Sequence, residues 1–329
     1  MNGQGIIPSF HQNQVMSQLI PYGHGIFAID ADYLRPKLAA IHLIVENGRA
    51  AFVDTGCNSS LPNALEALDE LGIATENVDY VILTHIHLDH AGGAGAMMQL
   101  FRNARLLVHP RGVRHMADPA RLIEGTVAVY GADATHRLYG EVLPIKTSRM
   151  IEATHQLRVD LGGRELLCLD TPGHARHHIA IVDKQTGHIF SGDAFCISYG
   201  EVDNELSQLI FPTTTPVQFD PEPLHASIDL LMSYQPQAMY LTHFGRISDV
   251  AAKALALHRL VDAHVAIARR EKNPHSGRHA RIREGLAQLL LNEAGRVGCQ
   301  LMPGRILEIF ANDLELNAQG IGVWLDSQP

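Results

Sequence analysis

The chain predicts an α/β protein with a helical C-terminal appendage, and two patterns carry that expectation. Through the first part, short apolar runs bounded by glycine, asparagine or proline alternate with stretches whose apolar residues recur at helical spacing. Past about residue 250 the helical spacing takes over completely. At 329 residues the chain suits one large domain or two modest ones. Its 46% hydrophobic and 19% charged residues place it among soluble globular proteins.

Taken in order, Ile41–Val45 and Ala50–Val53 read as a strand pair turning at Asn47-Gly48. A helix follows over Leu61–Leu71, with Ser60 at its N-cap and Gly72 as its stop. The run Val78–Leu83 is a buried strand. A glycine-rich turn (Gly92, Gly93, Gly95) then leads into a short helix through Phe101, and Arg105–Val108 is another strand. Residues 110–148 break the rhythm with mixed helix and loop character, as an insertion over one face would. Strands resume at Leu157–Val159, Glu165–Leu169, Ile179–Val182 and His188–Phe190. Pro221–Ser233 reads as a helix and Ala238–Leu241 as a further buried strand. Three amphipathic helices, Val250–Arg270, Arg278–Ala294 and Arg305–Leu316, end the chain. The expected division is a catalytic body over 1–249 and a helical extension over 250–329.

Composition narrows the function classes. A formal charge of −9 argues against a dedicated nucleic-acid surface. No stretch approaches 18 uninterrupted apolar residues, so no membrane partner is expected. Residues Met1–Pro8 show neither a basic nor an apolar leader region. Cys57, Cys168, Cys196 and Cys299 are scattered without zinc-finger spacing, which suits a reducing cytoplasm.

The most telling segment is Thr84-His85-Ile86-His87-Leu88-Asp89-His90. Three imidazoles and a carboxylate fall within six positions just past a strand, where a short loop can turn several side chains toward one point. That ligand set suits zinc, iron or manganese rather than calcium or magnesium. Three later residues also follow apolar strands: His174 in Asp170-Thr171-Pro172-Gly173-His174, Asp193 in Ser191-Gly192-Asp193, and His243 in Leu241-Thr242-His243. Together they supply the third His, the bridging carboxylate and the last His that two metals need.

His85-x-His87-x-Asp89-His90 with His174, Asp193 and His243 resembles the metallo-β-lactamase superfamily of binuclear hydrolases, in its glyoxalase II and lactonase-like branch. Phe52-Val53-Asp54-Thr55-Gly56 is similar to that superfamily's early strand–turn motif, and the likeness spans roughly residues 40–245. The resemblance implies an αββα four-layer sandwich with two mixed sheets inside and the site at one edge. It implies two divalent metal ions, zinc first, with iron or manganese also compatible. One is held by His85, His87 and His174, the other by Asp89, His90 and His243, with Asp193 bridging. Asp54 then sits behind the ligands and fixes their loop by hydrogen bonding. The chemistry implied is attack by a metal-bridging hydroxide, available at neutral pH because a bound dication lowers the pKa of water to about 7. Asp89 either ligates or orients the nucleophile and takes its proton.

The expected substrate is a small-molecule carboxylic ester, lactone or thioester. Alternatives are a mononuclear iron oxidoreductase resembling the persulfide dioxygenases, a phosphodiesterase, or a non-catalytic binding or regulatory member. The segment Phe219-Asp220-Pro221-Glu222 is similar to lactonases, but the tyrosine that lactonases place three residues after the bridging aspartate is Cys196 here. Tyr199 and Tyr130 are the two candidates to replace it. His177 and His178 read equally as site-facing groups or as surface residues opening a strand. Cys57 reads as a buried bystander. Arg269-Arg270 and Arg278 to Arg283 read as a solvated helix face. Val323-Trp324-Leu325 could pack on a second copy, making a homodimer, as readily as on its own body.

Overall fold

The structure is a computed structural model that describes residues 19–204, 207–272 and 276–328; the leader reading at Met1–Pro8 lies outside these residues. Its strands and helices run β1 (Leu19–Gly23), β2 (Ile26–Asp30), β3 (Ala40–Glu46), β4 (Arg49–Val53), α1 (Leu61–Glu70), β5 (Val78–Ile82), α2 (Leu88–Ala91), α3 (Ala94–Leu100) and β6 (Arg105–Val108). Then come α4 (Pro110–Ala117), α5 (Ala120–Tyr130), α6 (Ala132–Tyr139), β7 (Met150–Glu152), β8 (Arg158–Leu161), β9 (Arg164–Asp170), β10 (Ile179–Asp183) and β11 (Ile189–Gly192). The chain closes with α7 (Pro221–Ser233), β12 (Met239–Leu241), β13 (Arg246–Ile247), α8 (Val250–Arg270), α9 (Arg278–Arg296), α10 (Pro303–Ile309) and α11 (Ala311–Asp326).

Two mixed sheets form the middle layers. One has seven strands in the order β1 to β7, antiparallel as far as β4 and parallel from there on. The other runs β13-β12-β11-β10-β9-β8, with β11 and β12 parallel and the remaining pairs antiparallel. Side-chain alternation shows why these strands read as unbroken apolar runs. In β4, Ala51 and Val53 face the other sheet while Ala50 and Phe52 face the helices. In β9 the pairs are Leu166 and Cys168 inward, Leu167 and Leu169 outward; in β10 they are Ile179 and Ile181 inward, Ala180 and Val182 outward. A strand buried on both faces has no polar side to alternate with. The four-layer αββα sandwich follows, with helices over both outer faces and a helical C-terminal region.

Pairing direction places the site. β4 and β5 are parallel, as are β11 and β12, and β9 shares their sense because two antiparallel steps separate it from β11. Asp54 and the His85–His90 loop therefore emerge at one end of the first sheet, and His174, Asp193 and His243 at one end of the second. The Ile179 amide donates to the Thr84 carbonyl at 2.7 Å and ties the two rims together.

Several expectations need correction. Strands β1 and β2 extend the first sheet beyond anything expected before residue 40, and β7 and β13 are also new; these short pieces alternate too few residues to register as a pattern. The third C-terminal helix is not Arg305–Leu316 but two helices, α10 and α11, broken at Phe310, whose ring is fully buried. Ser60 occupies the N-cap of α1 without capping it: its hydroxyl donates instead to the Ala31 carbonyl at 2.5 Å. Arg269, Arg270 and Arg281 are exposed as expected, but Arg278 is half-buried, its guanidinium forking onto Asp326 at 2.6 and 2.7 Å. Trp324 and Leu325 pack into the chain's own core, Trp324 against Phe219, and only Val323 is exposed. Among the described residues no helix is long and apolar enough to cross a membrane.

Candidate metal centre

The turn after β4 builds the back wall. Asp54, at φ +62° and fully buried, accepts from the Thr84 amide at 2.8 Å and from the Thr84 hydroxyl at 2.8 Å. Thr55 accompanies it, its amide and hydroxyl both donating to the His90 carbonyl. The strand–turn motif thus holds both ends of the ligand loop. Burial raises the Asp54 carboxyl to about 7, against the pull of His90, whose Nδ1 lies 3.8 Å away.

Neighbouring acceptors then fix which nitrogen each imidazole presents. The Thr84 hydroxyl is committed to Asp54, so its oxygen accepts from His85 Nδ1 at 3.1 Å. His243 Nδ1 donates to the Leu38 carbonyl at 2.9 Å, and His174 Nδ1 faces the Thr213 carbonyl at 3.5 Å. Carbonyls only accept, so these rings turn a bare Nε2 lone pair inward. His85 Nε2 and His174 Nε2 each stand 3.0 Å from His87 Nδ1. Beside them His90 Nε2 and His243 Nε2 are 3.1 Å apart, with Asp89 Oδ2 3.2 Å from the first and 3.5 Å from the second.

Asp193 lies between the two groups. Its Oδ2 is 3.5 Å from His174 Nε2, 3.7 Å from His243, 3.9 Å from His90 and 4.0 Å from His85. Its other oxygen accepts from the Thr242 hydroxyl. Seven side chains from four strand ends thus converge, and three combinations of them could hold a metal: His85 with His87 and His174, His85 with His90 and Asp193, and Asp89 with His90 and His243.

Electrostatics test the fit. Burial lowers His85 well below its ordinary range and His87 to about 3, so both are neutral donors. Burial works the same way on His90, but Asp89 and Asp193 outweigh it and raise that ring to about 10; the same two carboxylates raise His243. Buried lone pairs that face one another at 3.0 Å, beside carboxylates that demand a positive charge, suit cations and little else. The donor set is one that zinc, iron or manganese accepts.

The open questions from the sequence resolve individually. His178 is fully buried; its Nε2 accepts from the Asp193 amide at 3.0 Å and its Nδ1 meets the Thr171 hydroxyl at 2.8 Å, so it aims the shared carboxylate. Gly192 makes this possible: at φ +53°, a Cβ there would lie 2.3 Å from His178 Nε2. His177 instead lines the cavity in front of the site. Asp220 anchors the turn that carries His174, its amide donating to the Gly173 carbonyl at 2.8 Å. Cys57 is buried, its thiol pushed up by that burial. Tyr130 lines the cavity; Tyr199 does not, being sealed behind the wall, where it donates to Asp313 at 3.0 Å under the Arg35 guanidinium.

The cavity measures about 660 Å3 and opens onto His87, Asp89, Asp193 and His243. Its opposite walls come from α5 (Leu122, Val129), from α9 and α11 (Ile282, Leu316, Val323), and from the loop carrying Thr213 to Gln218. Tyr33 and Tyr139 also face it, their hydroxyls 2.7 Å apart. Sequence reading found none of these wall residues except Tyr130, because a helix face turned to a cavity has the same spacing as one turned to a core.

A four-layer αββα sandwich with a histidine–aspartate ligand cluster at its rim defines a metallohydrolase. Residues 34–243 match the sequence model of the metallo-beta-lactamase superfamily, and the chain belongs to that superfamily. It is 26% identical over 216 residues to the metallo-beta-lactamase fold-containing protein of Sulfurisphaera tokodaii, covering 65% of this chain and 75% of that one. It is 29% identical over 240 residues to the hydroxyacylglutathione hydrolase of Xanthomonas campestris (72% and 71% covered) and 28% identical over 193 residues to the acyl-coenzyme A thioesterase MBLAC2 of Gallus gallus (53% and 64%). Among solved structures, the archaeal superfamily protein from Sulfolobus tokodaii superposes with a TM-score of 0.62 at 22% identity, covering 91% of this chain and 98% of that one.

Proposed function

We propose that the chain is a binuclear metallohydrolase that cleaves a carboxylic ester, lactone or thioester of a small molecule. Its cofactors in this reading are two divalent cations, zinc foremost, with iron or manganese as the other fitting ions. His85, His87 and His174 would hold one, Asp89, His90 and His243 the other, with Asp193 shared. The observation that carries the reading is Asp193 Oδ2, which lies within 4.0 Å of imidazole nitrogens from both groups. When bound, such a pair of cations supplies hydroxide at neutral pH and polarises the scissile carbonyl.

The chain's own residues do the rest. Asp89 reaches the cavity and is ionised, held well below the ordinary aspartate range by His90 and His243 despite its burial. Its carboxylate can therefore take the proton of the attacking hydroxide as the tetrahedral adduct collapses and pass it to the departing oxygen or sulfur. Tyr130 and Tyr139 border the same space as neutral hydroxyls, raised by burial, and can donate to a substrate oxygen. The apolar helix faces take the remainder of the substrate and keep water away. Thioesters are favoured within the class by the names of two relatives, a hydroxyacylglutathione hydrolase and an acyl-coenzyme A thioesterase. Four free thiols suit a reducing compartment such as the cytoplasm.

Elemental analysis of protein purified without chelator, beside a panel of thioesters, lactones, esters and phosphodiesters, tests this reading. At least two metals per chain with turnover of a thioester, lactone or ester supports it. One iron per chain with oxygen uptake on thiol persulfides, or turnover in metal-free protein, overturns it.

A further inference from the structure

Helices α7 and α8 pack antiparallel, and on their shared edge lies a second convergence of imidazoles, away from the rim. α7 contributes His225 and Asp229, and α8 contributes His258 and Asp262, each pair four residues apart and so on one helix face. The partners cross between helices. His225 Nε2 is 3.1 Å from Asp262 Oδ1, and His258 Nε2 is 3.2 Å from Asp229 Oδ1. The rings lie 11° from parallel with centroids 4.9 Å apart, and their two Nδ1 atoms face each other at 2.6 Å.

A carboxylate only accepts, so each aspartate claims the Nε2 proton of its histidine. Two neutral rings then present bare Nδ1 lone pairs to each other, and only a positive charge between them relieves that contact. Two carboxylates leave the set at −2. A shared proton lowers this to −1, whereas a dication neutralises it. Both rings are 27% exposed, so an ion can enter from solvent and keep water on its other positions. Carboxylates behind the ligating rings also orient them, as in zinc sites generally.

We propose that His225 and His258 bind one divalent transition-metal ion of the zinc class through their Nδ1 atoms, clamping α8 onto α7. Zinc–nitrogen bonds of about 2.0–2.1 Å at tetrahedral angles place the nitrogens roughly 3.4 Å apart, so the two Nδ1 atoms, now head-on, must part by less than about 1 Å and the rings must swing to bring both lone pairs onto the ion. This ion is separate from any at the catalytic rim and shares no ligand with it. Its role is to staple the C-terminal helices, which wall the cavity, to the sheet that carries His174, Asp193 and His243.

Equilibrium dialysis of the full chain against micromolar free zinc, with zinc counted per chain, tests the assignment in wild type, His225→Ala and His258→Ala. Each variant is expected to hold one zinc fewer than wild type and to keep its hydrolytic activity. Added zinc should raise the Tm of wild type more than that of either variant. The size-conserving His258→Gln should show the same loss, which separates a missing ligand from a damaged fold. Equal zinc content in wild type and all three variants overturns the proposal and leaves a shared proton between the rings.

Discussion

The strand-end rim and the helical wall opposite it border one cavity, yet they are built by different rules. At the rim, the groups behind the ligands have dictated partners: Thr84 serves Asp54, His178 serves the Asp193 amide, and the Leu38 carbonyl serves His243. Along the wall, Leu122, Ile282, Leu316 and Val323 offer apolar surface to the cavity. Chemistry needs side chains held to fractions of an ångström, whereas accommodating a substrate tail needs mainly shape and dryness. Rim substitutions should therefore remove the reaction, and wall substitutions should change which substrate undergoes it.

The largest effect is expected at the shared carboxylate. Asp193→Ala, like His87→Ala, should lower kcat/KM by more than about a thousandfold and reduce bound metal, read by steady-state kinetics beside elemental analysis. A variant that kept both metals and near-normal turnover would erase the contrast between the two regions. Next comes Gly192→Ala, which replaces no proposed ligand. Its new methyl must displace His178, tilting the Asp193 backbone, so metal affinity should fall roughly 10- to 100-fold in a chelator competition.

On the wall, Leu316→Trp should raise KM for bulky substrates roughly tenfold, leave small ones unchanged and keep the metal content. An equal loss of kcat on every substrate would place the wall inside the chemistry. Asp313 links the two regions, since burial raises its carboxyl to about 6 while Tyr199 donates to it. A raised acid stabilises the fold below its ordinary value of 3.8, and that stability is lost as pH climbs through 6. Asp313→Asn in metal-stripped protein should therefore have a higher Tm than wild type above pH 6 and a similar one below 3.8. The smallest effect belongs to Glu315, whose pairs with His279 and Arg283 are half exposed. Glu315→Ala should cost under about 1 kcal/mol in chemical denaturation.

The same contrast explains what was legible in the sequence. The ligand residues could be read because metal chemistry restricts residue type and strand ends restrict position: His85, His87, Asp89 and His90 sit one loop past β5, and their partners one loop past β9, β11 and β12. Strands buried on both faces, such as β9 and β10, also announced themselves as apolar runs. Strands β1, β2, β7 and β13, at or beside the sheet edges, did not, because such short segments borrow their conformation from neighbours. The break at Phe310 was hidden because the helical spacing continues across it. His178 and Tyr199 stood undecided, since a histidine or tyrosine that serves another residue carries the same letter as one that serves a substrate. The His225–His258 pair was invisible for another reason: its halves lie 33 residues apart and meet only when α7 and α8 pack.

The most direct test is anomalous X-ray diffraction from crystals of protein purified without chelator, collected at the absorption edge of the bound element. At the rim, two peaks about 3.5–4 Å apart are expected. One should lie among His85, His87 and His174, the other among Asp89, His90 and His243, with the Asp193 carboxylate between them. A rim with no peak, or with a single ion that leaves His90 and His243 facing each other alone, would contradict the account.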